Sequence, residues 1–537
     1  MNARPTIAEY LLWAGASLCV VLATIFGLMQ GNMDSVRLAD VIRPLAVLAP
    51  LAVGLTLALI FLAPALGRIL PVALFLFFSF HGIRGALGQF AIGHALAYGA
   101  ILLGPLVFYL LLRRIDRKRG AFYVFVTSAV MALTTFIVIA PSLFYAAPPV
   151  IDEGFRDRSL AAVAARRGSP GDLPDIIYVV PDRYPSADTL RREFGVDNSA
   201  FYAALRKRGF AVAENARSNY PKTFQSMAST LNSGYLQNFT TSYGADSRDK
   251  RPVYEAVENN VVQDRLRKLG YRFHNYGNWW EPTRINRFAA VNYQGYPPDS
   301  IDNLSEFERA LLNKTPALNI IRLFTDAEDK RECRRIRRKF RRLEEVGNGA
   351  EPVFVFAHML VPHSPIVMDA EGRCLARPII YSRDKTATWP EFKAAYVAYL
   401  RYFNRTILRV VDRQLARREQ SGRQLLFVIQ ADEGPFPKTM REAFYDYDLT
   451  ALSGREISMK TGIINALRLP SGTGAKISAP LTPVNNWRII FNALTGAELP
   501  MLPHAVYIYP TENKLYRFCE VTALSAEDEA PPKTCAN

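Results

Sequence analysis

The stretch Ser218–Leu236, SNYPKTFQSMASTLNSGYL, decides how the second part of this chain is interpreted. A turn-prone SNYP segment leads into apolar residues at helical spacing, Phe224, Met227 and Leu231. Thr223 therefore falls in the first turn of a predicted helix, where backbone N–H groups lack partners and the helix dipole is positive. A phosphate or sulfate can rest beside its hydroxyl there. A threonine in this position is more often a helix cap, so the rest of the sequence has to decide its role.

Composition divides the chain into two parts of different character. The first 145 residues are strongly apolar and the remainder resembles a soluble protein, and 537 residues are too many for one core. The formal charge is +16, and much of it lies beside apolar runs and in the tract Lys330–Arg342. This distribution suits a membrane surface at least as well as nucleic acid, for which the sequence shows no recognised module.

The cysteines indicate no metal site, because none of the five has a metal-binding spacing. Cys519 and Cys535 are close enough in sequence to form a disulfide if that end of the chain is extracytoplasmic. Cys19 lies in an apolar run, which predicts a buried thiol.

The apolar part predicts a transmembrane domain at residues 1–145 with about five helices. Its runs are 7–30, 44–64, 69–83, 91–112 and 121–143, and all except the short third run are long enough to cross a bilayer. The first run lacks a cleavage site, which is typical of an uncleaved anchor. The loop Arg113–Arg119, RRIDRKR, is the most basic short loop and is therefore expected in the cytoplasm. We thus predict a multi-pass protein of a bacterial inner membrane with its later residues outside the cytoplasm.

The later residues predict an α/β domain. Residues 146–174 have the Pro, Gly and charge content of a linker with a short helix, 175–510 form the domain, and 511–537 are assigned to a C-terminal tail. Compact apolar runs such as DIIYVVPD, VFVFAHML and QLLFVIQ alternate with helical patterns. This alternation predicts a mostly parallel central sheet with helices on both faces.

Polar residues follow several of these strands. Asp182 follows the first, His358 and His363 lie at the end of the second and just beyond, and Asp432 and Glu433 follow the third. Ligands of open α/β sheets bind beyond the carboxyl ends of the strands. A single aspartate there is more often a turn or helix cap, so the shared position of all five is the stronger evidence.

Two adjacent carboxylates after a buried strand are costly unless a cation joins them. Together with Asp182 and Thr223, Asp432 and Glu433 would form an oxygen-rich site for Mg²⁺, Mn²⁺ or Ca²⁺, and a histidine would shift it toward Zn²⁺. Bound to such an ion, the Thr223 hydroxyl would become a nucleophile.

At this point the residues resemble the sulfatase-like branch of the alkaline phosphatase superfamily. The likeness is to its membrane-anchored group of lipoteichoic acid synthases and phosphoethanolamine or phosphoglycerol transferases. The matching segments, in the family's order, are IIYVVPD at 176–182, SNYPKTFQSMASTLN at 218–232, GNWWEPTR at 277–284, FAHMLVPHSP at 356–365, VIQADEGP at 428–435 and TPVNNWRIIFN at 482–492.

The resemblance implies a role for each matching residue. Thr223 would be the nucleophile and form a phosphothreonine, on one divalent metal ion, with Mn²⁺ or Mg²⁺ expected ahead of Zn²⁺ or Ca²⁺. The implied metal ligands are Asp182, Thr223, Asp432 and Glu433, and the implied substrate contacts are His358, His363, His274, Trp280 and Arg284. The family has Asp-His-Gly where this chain has Asp432-Glu433-Gly434. The site is then either retained with an extra negative charge or lost.

The resemblance implies a transferase that moves a phospholipid-derived phosphoryl head group, phosphoglycerol or phosphoethanolamine, to an extracytoplasmic glycan or lipid. A phosphodiester or sulfate ester hydrolase on the same scaffold is the first alternative, and a catalytically inactive binding protein is the second. The predicted helix Asp329–Glu345 carries nine Lys or Arg residues. It is either a solvated helix or a contact for anionic lipid head groups.

Overall fold

The computed structural model divides the chain into two compact units. One consists of Met1–Ala146 and Leu304–Asp326, and the other of Ala147–Asn303 and Ala327–Asn537. The residues that the structure describes are 5–88, 92–144, 147–166, 173–297, 300–324, 328–347, 349, 351–382, 385–443, 447–470 and 481–532.

The helices and strands are numbered in chain order. The helices are α1 Ile7–Gln30, α2 Leu38–Leu62, α3 Pro64–Phe78, α4 Phe80–Leu87, α5 Gly93–Leu112, α6 Arg117–Ile139, α7 Glu153–Ala165, α8 Ala187–Phe194, α9 Ser199–Lys207, α10 Thr223–Asn232, α11 Gln237–Tyr243, α12 Arg251–Glu258, α13 Val261–Lys268, α14 Glu281–Arg284, α15 Glu306–Asn313, α16 Ala317–Phe324, α17 Glu328–Glu345, α18 Trp389–Ser421, α19 Lys438–Ala443, α20 Gly454–Thr461 and α21 Pro483–Thr495. The strands are β1 Asp175–Pro181, β2 Ala211–Arg217, β3 Arg272–Tyr276, β4 Val291–Asn292, β5 Val353–Met359, β6 Ile366–Met368, β7 Cys374–Ile379, β8 Leu425–Gln430, β9 Gly462–Arg468, β10 Tyr507–Ile508 and β11 Cys519–Glu520.

The first unit, called here the membrane-helix unit, holds long apolar helices. Among the described residues, four are long and apolar enough to cross a membrane: Ile7–Gln30, Leu38–Leu62, Ala95–Leu112 and Arg117–Leu143. Helices α3 and α4 are bent by 58° at their junction and would together form a fifth span. The bend falls in the short third apolar run of the sequence. Polar residues follow that run, so it is too short to cross the membrane as a straight helix. The unit also includes α15, whose Phe307 and Leu311 pack into the same apolar cluster as α1 and α2.

The second unit, called here the α/β unit, is built around a mixed sheet. In the described part of the chain its strand order is β2-β9-β8-β1-β5-β3-β4, and β9 alone runs against the others. Side chains alternate between two cores: Ile176 and Tyr178 face one, and Ile177 and Val179 face the other. Strands buried on both faces need apolar residues at consecutive positions, as the sequence shows. The prediction of apolar helices followed by a mostly parallel α/β domain is confirmed.

Helices cover both faces of the sheet. Helices α10 and α21 bury Met227 and Trp487 on one face. On the other face α18 buries Phe403, and α17 buries Phe340. The predicted basic helix is thus α17, and it is amphipathic: one side is embedded in the core, while Arg337, Arg341 and Arg342 are exposed.

Three segments depart from the sequence-based boundaries. The region assigned to a linker contains α7, whose Phe155 is fully buried against Phe491 in the α/β unit. The segment assigned to a tail contributes Leu515 and Tyr516 to the same core. Residues 304–326, placed by the sequence in the catalytic domain, belong instead to the membrane-helix unit. In each case the burying surface is far away in the sequence, so local composition does not reveal it.

The cysteines pair in a way that the sequence did not predict. Cys333 on α17 and Cys374 on β7 form a disulfide. Cys519 is also disulfide-bonded, and its predicted partner, Cys535, lies outside the described residues. Cys19, in α1, is a free thiol.

Candidate metal centre

The fold brings the predicted site residues to one edge of the sheet. Strands β8, β1 and β5 are neighbours, so their carboxyl ends meet. Asp182 follows β1, Asp432 follows β8, and His358 lies near the end of β5, in register with Val180. Thr223 is the first residue of α10, as its position in the sequence motif predicts.

Four side chains converge at this edge. Candidate ligand atoms of Asp182, His358 and Asp432 all lie within 4.8 Å of one another, with His358 Nε2 3.4 Å from Asp182 Oδ2. The Thr223 hydroxyl donates to Asp432 Oδ2 at 2.6 Å. The other oxygen of that carboxylate, Oδ1, accepts the backbone N–H of Arg183 at 3.1 Å. Among the described residues, Asp182 Oδ1 and His358 Nε2 are buried and have no hydrogen-bond partner.

The electrostatics of the group favour a bound cation. Burial raises the pKa of Asp182 to about 7, against the opposing charge of Arg183. Burial also raises the pKa of Asp432 to about 7, and the neighbouring carboxylates reinforce the rise. Burial lowers the pKa of His358 to about 4, so its imidazole is neutral and can donate a lone pair. Two buried carboxylates, a neutral imidazole and a hydroxyl, with two lone-pair atoms unused, fit a divalent metal ion.

His358 is held in place by its surroundings. Thr283 Oγ1 and Asn278 Nδ2 lie 3.0 Å and 2.9 Å from its Nδ1. In the tautomer that carries its proton on Nδ1, the Thr283 hydroxyl accepts that proton and the Nε2 lone pair faces the carboxylates. Below the ring, the buried Lys339 donates to the carbonyl oxygens of His358 and Gly277, at 2.6 Å and 2.7 Å. The imidazole therefore has contacts that fix both its ring and its backbone.

Glu433, which the sequence analysis predicts as a ligand, is not in this group, and that expectation is corrected. Its carboxylate lies 3.0 Å from Arg183 Nε and 2.6 Å from Lys460 Nζ. Both Glu433 and Lys460 have side chains that are only 1% exposed. Although burial opposes it, Lys460 and then Arg183 hold the pKa of Glu433 below its usual range. His358, predicted as a substrate contact, lies with Asp182 and Asp432 in the group that could hold a metal ion.

The reversed strand β9 explains why Glu433 finds a lysine. Lys460 lies two residues before Gly462, the first residue of β9, and β9 is antiparallel to β8. The beginning of β9 is therefore at the same edge as the end of β8. Backbone contact fixes the approach, because the N–H of Gly434 donates to the carbonyl oxygen of Lys460 at 2.7 Å.

A group of cations lies around the ring of Phe436, and one of them directly precedes Thr223 in the chain. Arg183 Cζ is 3.9 Å from the ring centroid, Lys460 Nζ is 4.4 Å away and Lys222 Nζ is 4.6 Å away. Lys222 directly precedes Thr223, and its ammonium is also 3.6 Å from Glu512. Glu433 pairs with Arg183 and Lys460, and burial lowers the pKa of Lys460 to about 7, so the group is a buried network of ion pairs. Its cations are of the kind that bind a phosphate or sulfate group.

The structure places the predicted substrate contacts in different surroundings, and only some of them lie beside His358. The ring of Trp280 packs edge-on to His358, with centroids 5.6 Å apart, and His363 lies 6.3 Å from the ring of Trp279. Burial lowers the pKa of His363, and neighbouring arginines lower it further. Arg284 is instead engaged by Glu281, at 2.9 Å and 2.8 Å.

His274 lies away from these residues, inside β3 and in register with Val291 and Val355. Neither of its ring nitrogens has a hydrogen-bond partner among the described residues. Burial lowers its pKa to about 4, and its charged neighbours are Arg272 and Arg342.

Sequence reasoning missed several residues of the site. Arg183 and Lys222 each adjoin a predicted site residue, and this adjacency was the available signal. Thr283 lies within the quoted GNWWEPTR motif. Lys339 and Lys460 have no local signal, because their partners are distant in the sequence.

Comparisons with known proteins give distant likenesses. No family model matches the chain, and no curated protein matches it. The zinc complex of the C-terminal periplasmic domain of EptC from Escherichia coli is 12% identical, over 72% of this chain and 99% of that one, with a TM-score of 0.43. The lipooligosaccharide phosphoethanolamine transferase A of Neisseria meningitidis is 12% identical, over 91% of this chain and 96% of that one, with a TM-score of 0.36.

A third likeness is to yidJ of Bacteroides fragilis, which is assigned as a sulfatase. It is 16% identical, over 63% of this chain and 77% of that one, with a TM-score of 0.34. Phosphoethanolamine transferases and sulfatases are also the proteins that the sequence motifs resemble. With scores this low, the function has to be judged from the chain's own side chains.

Proposed function

We propose that this chain is a membrane-anchored, divalent-metal-dependent transferase with Thr223 as its nucleophile. It moves a phosphoryl head group, phosphoethanolamine or phosphoglycerol, from a phospholipid to an extracytoplasmic hydroxyl. The observation that carries the proposal is the convergence of the Thr223 hydroxyl with the side chains of Asp182, Asp432 and His358. In this group, the buried atoms Asp182 Oδ1 and His358 Nε2 have no hydrogen-bond partner among the described residues.

The metal would be held by Asp182, Asp432, His358 and the Thr223 oxygen. When bound, it would neutralise the phosphoryl oxygens and make the hydroxyl more acidic. A set with an imidazole nitrogen suits Zn²⁺ or Mn²⁺ better than Mg²⁺ or Ca²⁺, which prefer oxygen ligands. The sequence analysis expected Mn²⁺ or Mg²⁺ ahead of Zn²⁺ or Ca²⁺, because it took Glu433 as an additional oxygen ligand. We now expect Zn²⁺ or Mn²⁺ first.

The chain's own groups account for the proton and the charge. Asp432 Oδ2 already accepts the hydrogen bond of the Thr223 hydroxyl, so it can take the proton as the oxygen attacks phosphorus. The phosphorus–oxygen bond to diacylglycerol breaks, the proton ends on the released diacylglycerol, and phosphothreonine remains. Lys222 and Arg183 attract the negatively charged phosphoryl group to the hydroxyl. An acceptor hydroxyl then attacks the same phosphorus, and Thr223 regains a proton.

The location outside the cytoplasm is part of the proposal. The Cys333–Cys374 disulfide supports an oxidising compartment for the α/β unit. The basic loop Arg113–Arg119 supports a cytoplasmic face at the other end of α6. We therefore place the donor in the outer leaflet of an inner membrane and the acceptor, a glycan or lipid, beyond it.

Replacing Thr223 tests the mechanism. Thr223→Ala should lower head-group transfer by roughly three orders of magnitude or more, because no other hydroxyl holds this position. Thr223→Ser is the matched control and should retain substantial transfer. Mass spectrometry of cell lipids and glycans measures transfer, and peptide mass spectrometry of the wild type should find head-group phosphate on Thr223.

The outcomes separate the three candidate functions. Transfer by Thr223→Ala at the wild-type rate would exclude the mechanism. Rapid release of the free head group into water, with or without an acceptor, would favour a hydrolase. A wild-type protein that binds no divalent metal and modifies no lipid would favour a binding protein.

A further inference from the structure

A cavity lies within the membrane-helix unit, and its lining residues all belong to that unit. Its volume is about 890 Å³, within the range of small-molecule binding sites. Its walls come from the beginnings of α1, α3 and α6 and the ends of α2 and α5. All five of these helix ends lie at the end of the bundle that carries the basic loop.

The cavity has an excess of positive charge. Its charged lining residues are Arg68, Arg113, Arg117 and Asp116. Among the described residues, neither Arg68 nor Arg113 has a carboxylate partner, and Arg113 lies over the ring of Tyr109 at 6.0 Å.

Asp116, the acid among the described lining residues, accepts hydrogen bonds from backbone N–H groups. Asp116 Oδ1 accepts the N–H groups of Lys118 and Arg119, at 3.1 Å each, as the N-cap of α6. Arg68 and Arg113 thus present guanidinium groups that lack a matching acid among the described residues. A guanidinium binds a phosphate through two parallel hydrogen bonds, so the charge calls for a phosphate-bearing ligand.

Aromatic and apolar residues place the cavity at a membrane boundary. Tyr10, Trp13 and Tyr109 line it, and such residues are enriched where head groups meet hydrocarbon. On the same helix ends, Phe61 is 76% exposed and Leu110 is 50% exposed. A ligand with both a phosphate and acyl chains satisfies both features, whereas free phosphate satisfies only the charge.

We propose that this cavity binds the head group of an anionic phospholipid of the cytoplasmic leaflet. The phosphate contacts Arg68 and Arg113, and the acyl chains follow the exposed apolar side chains of α2 and α5. Basic cavities between membrane helices on the cytoplasmic side are suited to this class of lipid. The site is separate from Thr223 and does not depend on the proposed transferase activity.

Native mass spectrometry of the full-length protein in detergent tests the proposal. Phosphatidylglycerol and phosphatidylcholine serve as the anionic and zwitterionic probes, and inorganic phosphate and glycerol 3-phosphate serve as competitors. Arg68→Gln combined with Arg113→Gln should weaken phosphatidylglycerol binding about 25-fold, from about fivefold for each guanidinium. Arg114→Gln removes one charge from the same loop but lies outside the cavity lining, so it should bind within about twofold of wild type.

Several results would overturn the proposal. Equal binding of both lipids to the wild type would do so without any variant, which keeps the test valid if the double variant fails to fold. An effect of Arg114→Gln as large as that of the double variant would indicate diffuse surface charge. Full displacement of the lipid by millimolar inorganic phosphate would indicate a small-anion site.

Discussion

Glu433 provides the sharpest test of how the site is built, because the sequence and the structure give it different roles. If Glu433 is a counter-ion, Glu433→Gln should leave the metal ligands in place but weaken the fold. The variant keeps the size of the side chain and removes the charge that Lys460 and Arg183 share.

The size of the effect follows from burial. Removing one partner of a buried ion pair costs about 3–5 kcal/mol, because the other charge is left uncompensated. Burial already lowers the pKa of Lys460 to about 7, so without Glu433 this side chain can lose its proton, and we expect the lower end, about 3 kcal/mol. For a large domain this corresponds to a fall of roughly 6 °C in the thermal unfolding midpoint. Removing both charges, in Glu433→Gln with Lys460→Gln, should recover part of the loss.

Metal binding should separate Glu433 from Asp432. Glu433→Gln should change the affinity for Zn²⁺ or Mn²⁺ by less than about tenfold, whereas Asp432→Asn should lower it by more than about a hundredfold. The assay is a competition titration of the full-length protein in detergent against a chromogenic chelator, with thermal unfolding followed by intrinsic fluorescence. Equal loss of metal in both variants, with the Glu433→Gln midpoint unchanged, would refute the counter-ion role and make Glu433 a ligand.

Two further predictions concern single contacts. Thr283→Val removes the hydroxyl beside His358 Nδ1 and should lower metal affinity about 10- to 100-fold. Thr283→Ser keeps the hydroxyl and should leave the affinity unchanged. An unchanged metal titration of the valine variant would show that Thr283 does not orient the ring. Although burial alone would raise it, Lys222 and Lys250 lower the pKa of Glu512 to about 2, from an ordinary value of 4.5. About 3 kcal/mol of stability is therefore present above pH 4.5 and lost as the pH falls toward 2. Glu512→Gln should lower the midpoint at pH 7 and flatten its fall between pH 5 and 3, and an acid profile parallel to the wild type would contradict this.

Much of the α/β unit could be predicted because its strands carry the signal locally. β1, β5 and β8 are buried on both faces, so each reads as a continuous apolar run whose end can be located. Adjacent carboxyl ends of β1 and β8 then bring Asp182 and Asp432 together, whereas Thr223 reaches them from the start of α10.

The third ligand could not be assigned from the sequence alone. Asp432 and Glu433 are neighbours in the chain, but consecutive side chains rarely point to the same place. Which of them meets Asp182 depends on a cation that only the fold supplies. The apolar run of β9 does not reveal whether the strand is parallel or antiparallel to β8. The sequence therefore could not predict that Lys460 lies at this edge of the sheet. His358 was recognised as part of the site, and its ring orientation depends on Thr283, which comes from a separate loop.

The compact units of the structure differ from the sequence-based boundaries for a related reason. Helix α7 buries Phe155 and Val163, and α15 buries Phe307 and Leu311, in regions of linker-like or ordinary composition. Composition describes how polar a segment is, but not which distant surface will cover its apolar side. Segments of this kind can be assigned only when the surface that buries them is known.

The disulfide between Cys333 and Cys374 has a consequence for the biogenesis of the protein. It closes a loop of 41 residues, and that loop contains β5 with His358 and His363. Restricting a loop of this length in the unfolded chain stabilises the fold by about 4 kcal/mol on the chain-entropy model. With the α/β unit outside the cytoplasm, as proposed, the thiols are reduced before export and this stabilisation is absent. A chain retained in the cytoplasm is then more exposed to proteases, and the segment that carries His358 reaches full stability only after translocation.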